Sequence, residues 1–292
     1  MLKEKVLRKS ASYLPGNLRT LAKRLYYRDR HWAHPAMKEF GTVQDLYYWV
    51  ADGNLDTVLL LQNYFSVFYP ELRTETEGNI SLYGKDGLLL GERPFSLLQL
   101  GCAKFRASSL LEELQVPTDN AFGTLEVNIA IPRDVLAHIQ GQKSLYFWDR
   151  FYIGYTNAQG QTCFVHGVDK THLHREGKPG PIDWYKAGKG LQWAPEIPVD
   201  IGDYRKFNVI MINRTSRKAD VTLMLFDKED NSLSWSAEIP AKGVHRFELT
   251  KENTAVLIPT ELRMRVKGMA TQFGRPVVFK EFSNGAISAM HC

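Results

Sequence analysis

The sequence predicts a mainly β protein: two tandem, internally duplicated antiparallel β-sandwich domains, Ig-like or jelly-roll-like, behind a short N-terminal helical segment. Three observations predict it. From about Gly41 onward the chain breaks into short alternating apolar runs bounded by Gly, Pro, Asn and Asp, the pattern of sandwiches and barrels. Five of those runs recur later in the same order. The composition, 44% apolar and 24% charged over 292 residues, supplies a normal globular core and excludes disorder.

The elements follow in chain order. Residues 1–14 and 17–29 read as two short helices broken at Pro15-Gly16. In the second, Leu18, Leu21, Ala22 and Leu25 share one helical face, and Asn17 suits an N-cap. Residues 1–40 hold ten Lys/Arg against three Asp/Glu, or +7, so the rest of the chain contributes −2 to the net +5. The basic character therefore belongs to this segment, through residues such as Lys3, Lys5, Arg8, Lys9, Arg19, Lys23, Arg24 and Arg28. It offers residues 1–30 to an anionic surface, a membrane face or an acidic partner. Specific nucleic-acid readout is not expected, because phosphate contacts alone carry no sequence information.

The duplication carries the domain reading. Asp56–Asn63 matches Lys206–Asn213, and Asn79–Gly87 matches Asp220–Asp230. Leu100–Phe105 matches Lys242–Phe247, and Gly123–Val127 matches Glu261–Val266. Tyr152–Gly160 with Cys163–His166 matches Val278–Gly285 with Ser288–His291. The offset falls from 150 (Asp56 to Lys206) to 125 (Cys163 to Ser288), because the first copy carries longer insertions. This sets expected boundaries: a basic segment at 1–40, a first sandwich at 41–169, an aromatic and Pro-rich linker at 170–204, and a second sandwich at 205–292. One helix is expected inside the first copy, at Arg133–Gln140 after Pro132.

No catalytic signature emerges. The chain has no Gly-x-Ser-x-Gly elbow, Walker loop or strand-linked Gly-x-Gly-x-x-Gly. Three widely spaced cysteines, Cys102, Cys163 and Cys292, fit a reducing compartment, and Cys102 and Cys163 fall in expected strands, where inert burial is the usual role. The N-terminus lacks a signal-peptide apolar core, and no apolar run approaches the roughly 20 residues needed to cross a bilayer as a helix. The expectation is a cytoplasmic protein, peripheral to a membrane at most. Asn79-Ile-Ser81 and Asn213-Arg-Thr215 then match the glycosylation pattern by chance.

Two clusters remain. His172 and His174 alternate onto one side of an extended segment and can share one divalent transition metal, with His166 and Asp169 completing a candidate set. The cupin pattern also combines His-x-His with Glu, but here Glu176 follows His174 by two residues and the flanking glycines differ, so nothing is carried over from it. The second cluster is aromatic. Trp148, Asp149 and Arg150 sit in a ring-dense run, and Trp184, Tyr185 and Trp193 lie in the linker. Stacked rings flanked by polar groups suit a sugar or an extended peptide. The functional expectation is a non-catalytic binding or interaction protein, with a groove between two sandwiches and a carbohydrate or partner segment as ligand. A metal-dependent enzyme using residues 166–174 is the second reading. An assembly component docking through the basic segment is the third.

Overall fold

A computed structural model describes residues 40–117, 121–139, 152–166, 172–175, 196–199, 201, 204–214, 217–258, 262–268 and 276–291. The helical segment expected at 1–29 and most of the linker lie outside them. The chain is mainly β, built as four antiparallel sheets. The strands are β1 Phe40–Val50, β2 Leu55–Gln62, β3 Thr76–Gly84, β4 Leu89–Leu97, β5 Cys102–Arg106, β6 Phe122–Ala130, β7 Tyr152–Asn157, β8 Thr162–His166 and β9 His172–Arg175. They continue with β10 Glu196–Val199, β11 Tyr204–Ile212, β12 Ala219–Phe226, β13 Ser232–Ile239, β14 Val244–Leu249, β15 Leu262–Gly268, β16 Val277–Phe282 and β17 Ile287–His291. Among the described residues, three short helices interrupt the first half: α1 Tyr64–Phe68, α2 Ala107–Glu113 and α3 Arg133–Ile139, the last where the sequence places it.

Sheet 1 runs β4-β3-β6-β1-β9, and sheet 2 runs β5-β2-β7-β8. Sheet 3 runs β13-β12-β15-β10, and sheet 4 runs β14-β11-β16-β17. Matching β1 with β10, β2 with β11, and so on to β8 with β17, turns sheets 1 and 2 into sheets 3 and 4, with β9 the one addition. The register repeats as well. Tyr152 pairs with His166 and Val277 with His291; Ile80 pairs with Val127 and Leu223 with Val266.

Turn chemistry repeats in detail. Between β3 and β4, Gly84 N–H donates to Leu88 O, and Gly87 sits at φ +78. Between β12 and β13, Asp227 N–H donates to Asn231 O, and Asp230 sits at φ +62. Leu100 and Lys242, at φ +56 and +58, hold the same place in the β4–β5 and β13–β14 turns. A left-handed Leu or Lys is uncommon and strained, so finding both at equivalent turns indicates a shared backbone plan.

Two apolar clusters form the interior. The second gathers Val209, Met211 and Val278 of sheet 4 with Val221, Leu223, Leu225, Met264 and Val266 of sheet 3. The first gathers sheets 1 and 2 around Trp49, Leu59, Ile80, Leu125 and Tyr155, and also takes Ile210, Ile212, Val277 and Phe279 from the other face of sheet 4. Sheet 4 is thus covered on both faces, which is why β11 ends on an unbroken apolar run at 209–212 rather than an alternation.

Polar contacts close the same seam between the halves. Arg214 pairs with Asp45, and both are buried. Lys242 pairs with Glu126 and donates to the Tyr83 hydroxyl at 2.6 Å. Burial alone would lower the Lys242 ammonium pKa, but Glu126 and Tyr83 hold it above its ordinary range. Asn157 Nδ2 donates to Gly285 O at 3.0 Å, and the Tyr155 and Phe279 rings meet edge to face at 5.8 Å. Burial pushes the Tyr48 hydroxyl up to about 12, against the opposing pull of Arg246.

One sequence expectation is corrected. Cys102 is exposed rather than buried, because it opens an edge strand of sheet 2. Cys163 is half-buried, and its thiol pKa is raised by burial.

Candidate interaction surface

The predicted site residues fall largely outside the described set. Trp148, Asp149, Arg150, Asp169, Trp184, Tyr185 and Trp193 all lie there. The backbones of His166, His172 and His174 are placed. His166 ends β8 in sheet 2, whereas His172 and His174 lie on β9 at the edge of sheet 1, opposite Gln44 and Thr42. No group of three or more His, Cys, Asp or Glu suited to a metal occurs among the described residues. No helix among them is long and apolar enough to cross a membrane.

What the structure brings together instead is the outer face of sheet 2. Residues paired across antiparallel strands share a face. Leu59, Leu61, Ile153, Tyr155 and Val165 point to the core. The opposite face therefore reads, strand by strand, Lys104, Leu60 and Tyr152 in one row. Arg106, Val58, Gly154 and Phe164 form the next row, and Asp56, Thr156 and Thr162 the third. Phe164 is 49% exposed and Tyr152 46% exposed. The Phe164 ring lies over Gly154, where a Cβ would come within 2.6 Å of its Cε1. Glycine at 154 is what lets the ring lie flat on the sheet.

The polar end of this face is ordered by Asp56. Its carboxylate accepts from Arg106 Nη1 at 3.2 Å, from Ser108 N–H at 3.1 Å and from Ser108 Oγ at 2.8 Å. The Thr156 and Thr162 hydroxyls meet at 2.9 Å. A cleft of about 210 Å³ opens beside Asn54, Asp56, Arg106 and Ser108. That is below the roughly 300–1,000 Å³ of ordinary small-molecule pockets, so the surface suits a broad contact better than an engulfed ligand.

The equivalent face of sheet 4 has a different fate. Leu60 corresponds to Ile210, Tyr152 to Val277, Gly154 to Phe279, Phe164 to Ala289 and Lys104 to Arg246. Ile210, Val277 and Phe279 are buried against the first half, Ala289 packs on them, and Arg246 lies over the Phe122 ring at 4.7 Å. The Gly154–Phe164 cross-strand pair becomes Phe279–Ala289. The ring has moved to the neighbouring strand, and Phe279 is only 3% exposed. Sequence reading missed Tyr152 and Lys104 because a face exists only once strands are paired.

No protein-family model matches the chain. No curated protein matches it. Among solved structures, a tetra-tandem repeat in the extending region of a large adhesion protein is similar at 9% identity and a TM-score of 0.20, over 86% of this chain and 49% of that one. A calcium binding mutant of Bacteroides uniformis β-glucuronidase 2 is similar at 9% identity and a TM-score of 0.21, over 89% of this chain and 27% of that one. This chain therefore spans about half of the first and about a quarter of the second. Neither likeness decides a function.

Proposed function

We propose that the chain is a non-catalytic interaction protein made of two sandwich units, 41–169 and 205–292, and that it binds through the outer face of sheet 2. One observation carries this reading: the face that covers the first half in sheet 4 leaves Tyr152 and Phe164 exposed among the described residues of sheet 2. Exposed apolar area of this kind, rimmed by charge, is typical of contact sites. It supports the partner-protein arm of the sequence reading over the carbohydrate arm, because its counterpart already contacts protein. The ligand surface is moved from the expected groove to sheet 2, since side chains from the two halves meet directly along the described seam.

The test uses Tyr152→Glu and Phe164→Glu with an environment-sensitive dye, 8-anilinonaphthalene-sulfonate. The native chain should enhance the dye's fluorescence, and both variants should lose most of that signal. Their melting temperatures should stay within about 3 °C of the parent, as expected for exposed positions. If the native chain gives no signal and both variants melt more than about 10 °C lower, the rings are interior and the reading fails.

A further inference from the structure

The loop end of the first sandwich remote from the seam carries a second surface. Two connections build it: α1, between β2 and β3, and the turn at 98–101 between β4 and β5. Their counterparts in the second half are the parts that dock on the first half, through Arg214 to Asp45 and Lys242 to Glu126. In the first half this end lies about 27 Å from the seam, the span of nine-residue β4 beyond the β3–β4 turn where Lys85 O meets Val244 N–H.

Charge is missing from it. Residues 63–70 and 97–103 contain no Lys, Arg, Asp or Glu. Leu98 and Leu100 are 68% and 71% exposed, and Val67 and Phe68 are about half exposed beside them. Hydrogen bonds lock the two segments together. Leu100 N–H donates to Ser66 Oγ at 2.9 Å, the Asn63 amide to Leu98 O at 3.0 Å and the Gln99 amide to Pro70 O at 3.3 Å. Leu100 sits at φ +56, where glycine would be unstrained, with most of its side chain in water. Its counterpart Lys242 holds the same strained place and reaches across an interface to Glu126. Leu100 therefore has the place of a contact residue.

A protein contact like that of Arg214 and Lys242 needs charge on both sides, and this end offers none. A bilayer surface needs none. It takes Leu, Val and Phe into the acyl boundary while tyrosine rings rest at headgroup depth. Tyr64 and Tyr69, both part-exposed, flank Val67 and Phe68. Gly101 N–H, Leu100 N–H and Leu98 O are bonded within the protein, which lowers the cost of leaving water. The charges that follow the two segments, Glu71, Arg73, Glu75 and Lys104, sum to zero, so they select no anionic lipid. We propose that this end of the first sandwich inserts shallowly into the surface of a zwitterionic bilayer through Val67, Phe68, Leu98 and Leu100.

The test is flotation of the full chain with phosphatidylcholine vesicles. The native chain should float, and its bound fraction should change less than ~2-fold between about 0.15 and about 0.5 M NaCl, because no charge contact is screened. Leu98→Ser combined with Leu100→Gly should weaken binding at least ~10-fold. Its melting temperature should fall no more than about 3 °C, since both sites are exposed and glycine suits the backbone at 100. Val256→Ser, at an exposed site in the second half, should bind as the native chain does. Phe68→Trp should add fluorescence that brominated phosphatidylcholine quenches. The sheet 2 variants Tyr152→Glu and Phe164→Glu should keep their vesicle binding, so the two surfaces are tested separately. Binding that the double variant retains, or that the higher salt abolishes, overturns the proposal and assigns the contact to charged residues such as those of 1–30. A native chain that does not float, or a Phe68→Trp signal that the brominated lipid leaves unquenched, overturns it too and leaves this end to an apolar protein partner.

Discussion

At the scale of single residues, Asn63 and Asn213 perform the same task in the two halves. Each follows the corresponding strand, β2 or β11, and each is almost wholly buried. The Asn63 amide donates to Thr74 O at 2.8 Å and Leu98 O at 3.0 Å. That of Asn213 donates to Ile239 O at 2.8 Å and Pro240 O at 2.9 Å. Their backbone N–H groups donate to Gly101 O and Gly243 O. Buried carbonyls left without a donor cost about 1–3 kcal/mol. Asn63→Ala and Asn213→Ala should therefore each lose about 2–3 kcal/mol in urea unfolding. A loss under ~0.5 kcal/mol at either site would show water taking over the amide's role. This pair was legible in the sequence, because Asn63 and Asn213 close matching blocks at an offset of 150. The exchange of Gly154–Phe164 for Phe279–Ala289 was not. An apolar pattern records that a ring is present, not which paired strand carries it.

At the scale of elements, the β13–β14 turn is the bolt between the halves. Its strained residue, Lys242, carries the ammonium that meets Glu126 and Tyr83, and Thr124 Oγ1 donates to its carbonyl. Val244 N–H donates to Lys85 O at 3.0 Å. Removing one partner of a mostly buried ion pair leaves the other charge desolvated, at a cost of up to about 3–5 kcal/mol. Lys242 retains some exposure, so Lys242→Met should cost about 2–4 kcal/mol, less than the fully buried limit. Adding Glu126→Gln should recover at least half of that loss, as read in a double-mutant cycle. Additive losses would mean the two groups do not act as a pair. The sequence could not disclose this contact, since Lys242 and Glu126 lie 116 residues apart. Two strand equivalences were also hidden. β1 is buried on both faces from Asp45 to Val50, so it shows no alternation to match with the four-residue β10. β4 buries only Phe95 and Leu97 and carries Glu92, Arg93 and Pro94 at its centre, so it offers no long apolar run to match with β13.

At the scale of the whole molecule, the shared cluster determines how the protein comes apart. Ile210, Ile212, Val277 and Phe279 belong to the second half by topology and to the first half's core by contact. Burying each such side chain contributes about 1.5–3 kcal/mol, so together they supply on the order of 6–12 kcal/mol before ordering entropy is subtracted. That is comparable with the ~5–15 kcal/mol net stability of a whole domain. Neither half can lose its fold without exposing apolar surface of the other, so tandem units in sequence should form one cooperative unit in thermodynamics. Calorimetry of the intact chain should give a single transition with equal calorimetric and van't Hoff enthalpies. Phe279→Ala should move that transition down as a whole, by about 3–5 kcal/mol of stability, because it opens a cavity beside Tyr155 at the joint. Two resolved transitions, or a Phe279→Ala effect confined to one of them, would mean that the halves fold separately and that the seam is only a surface contact.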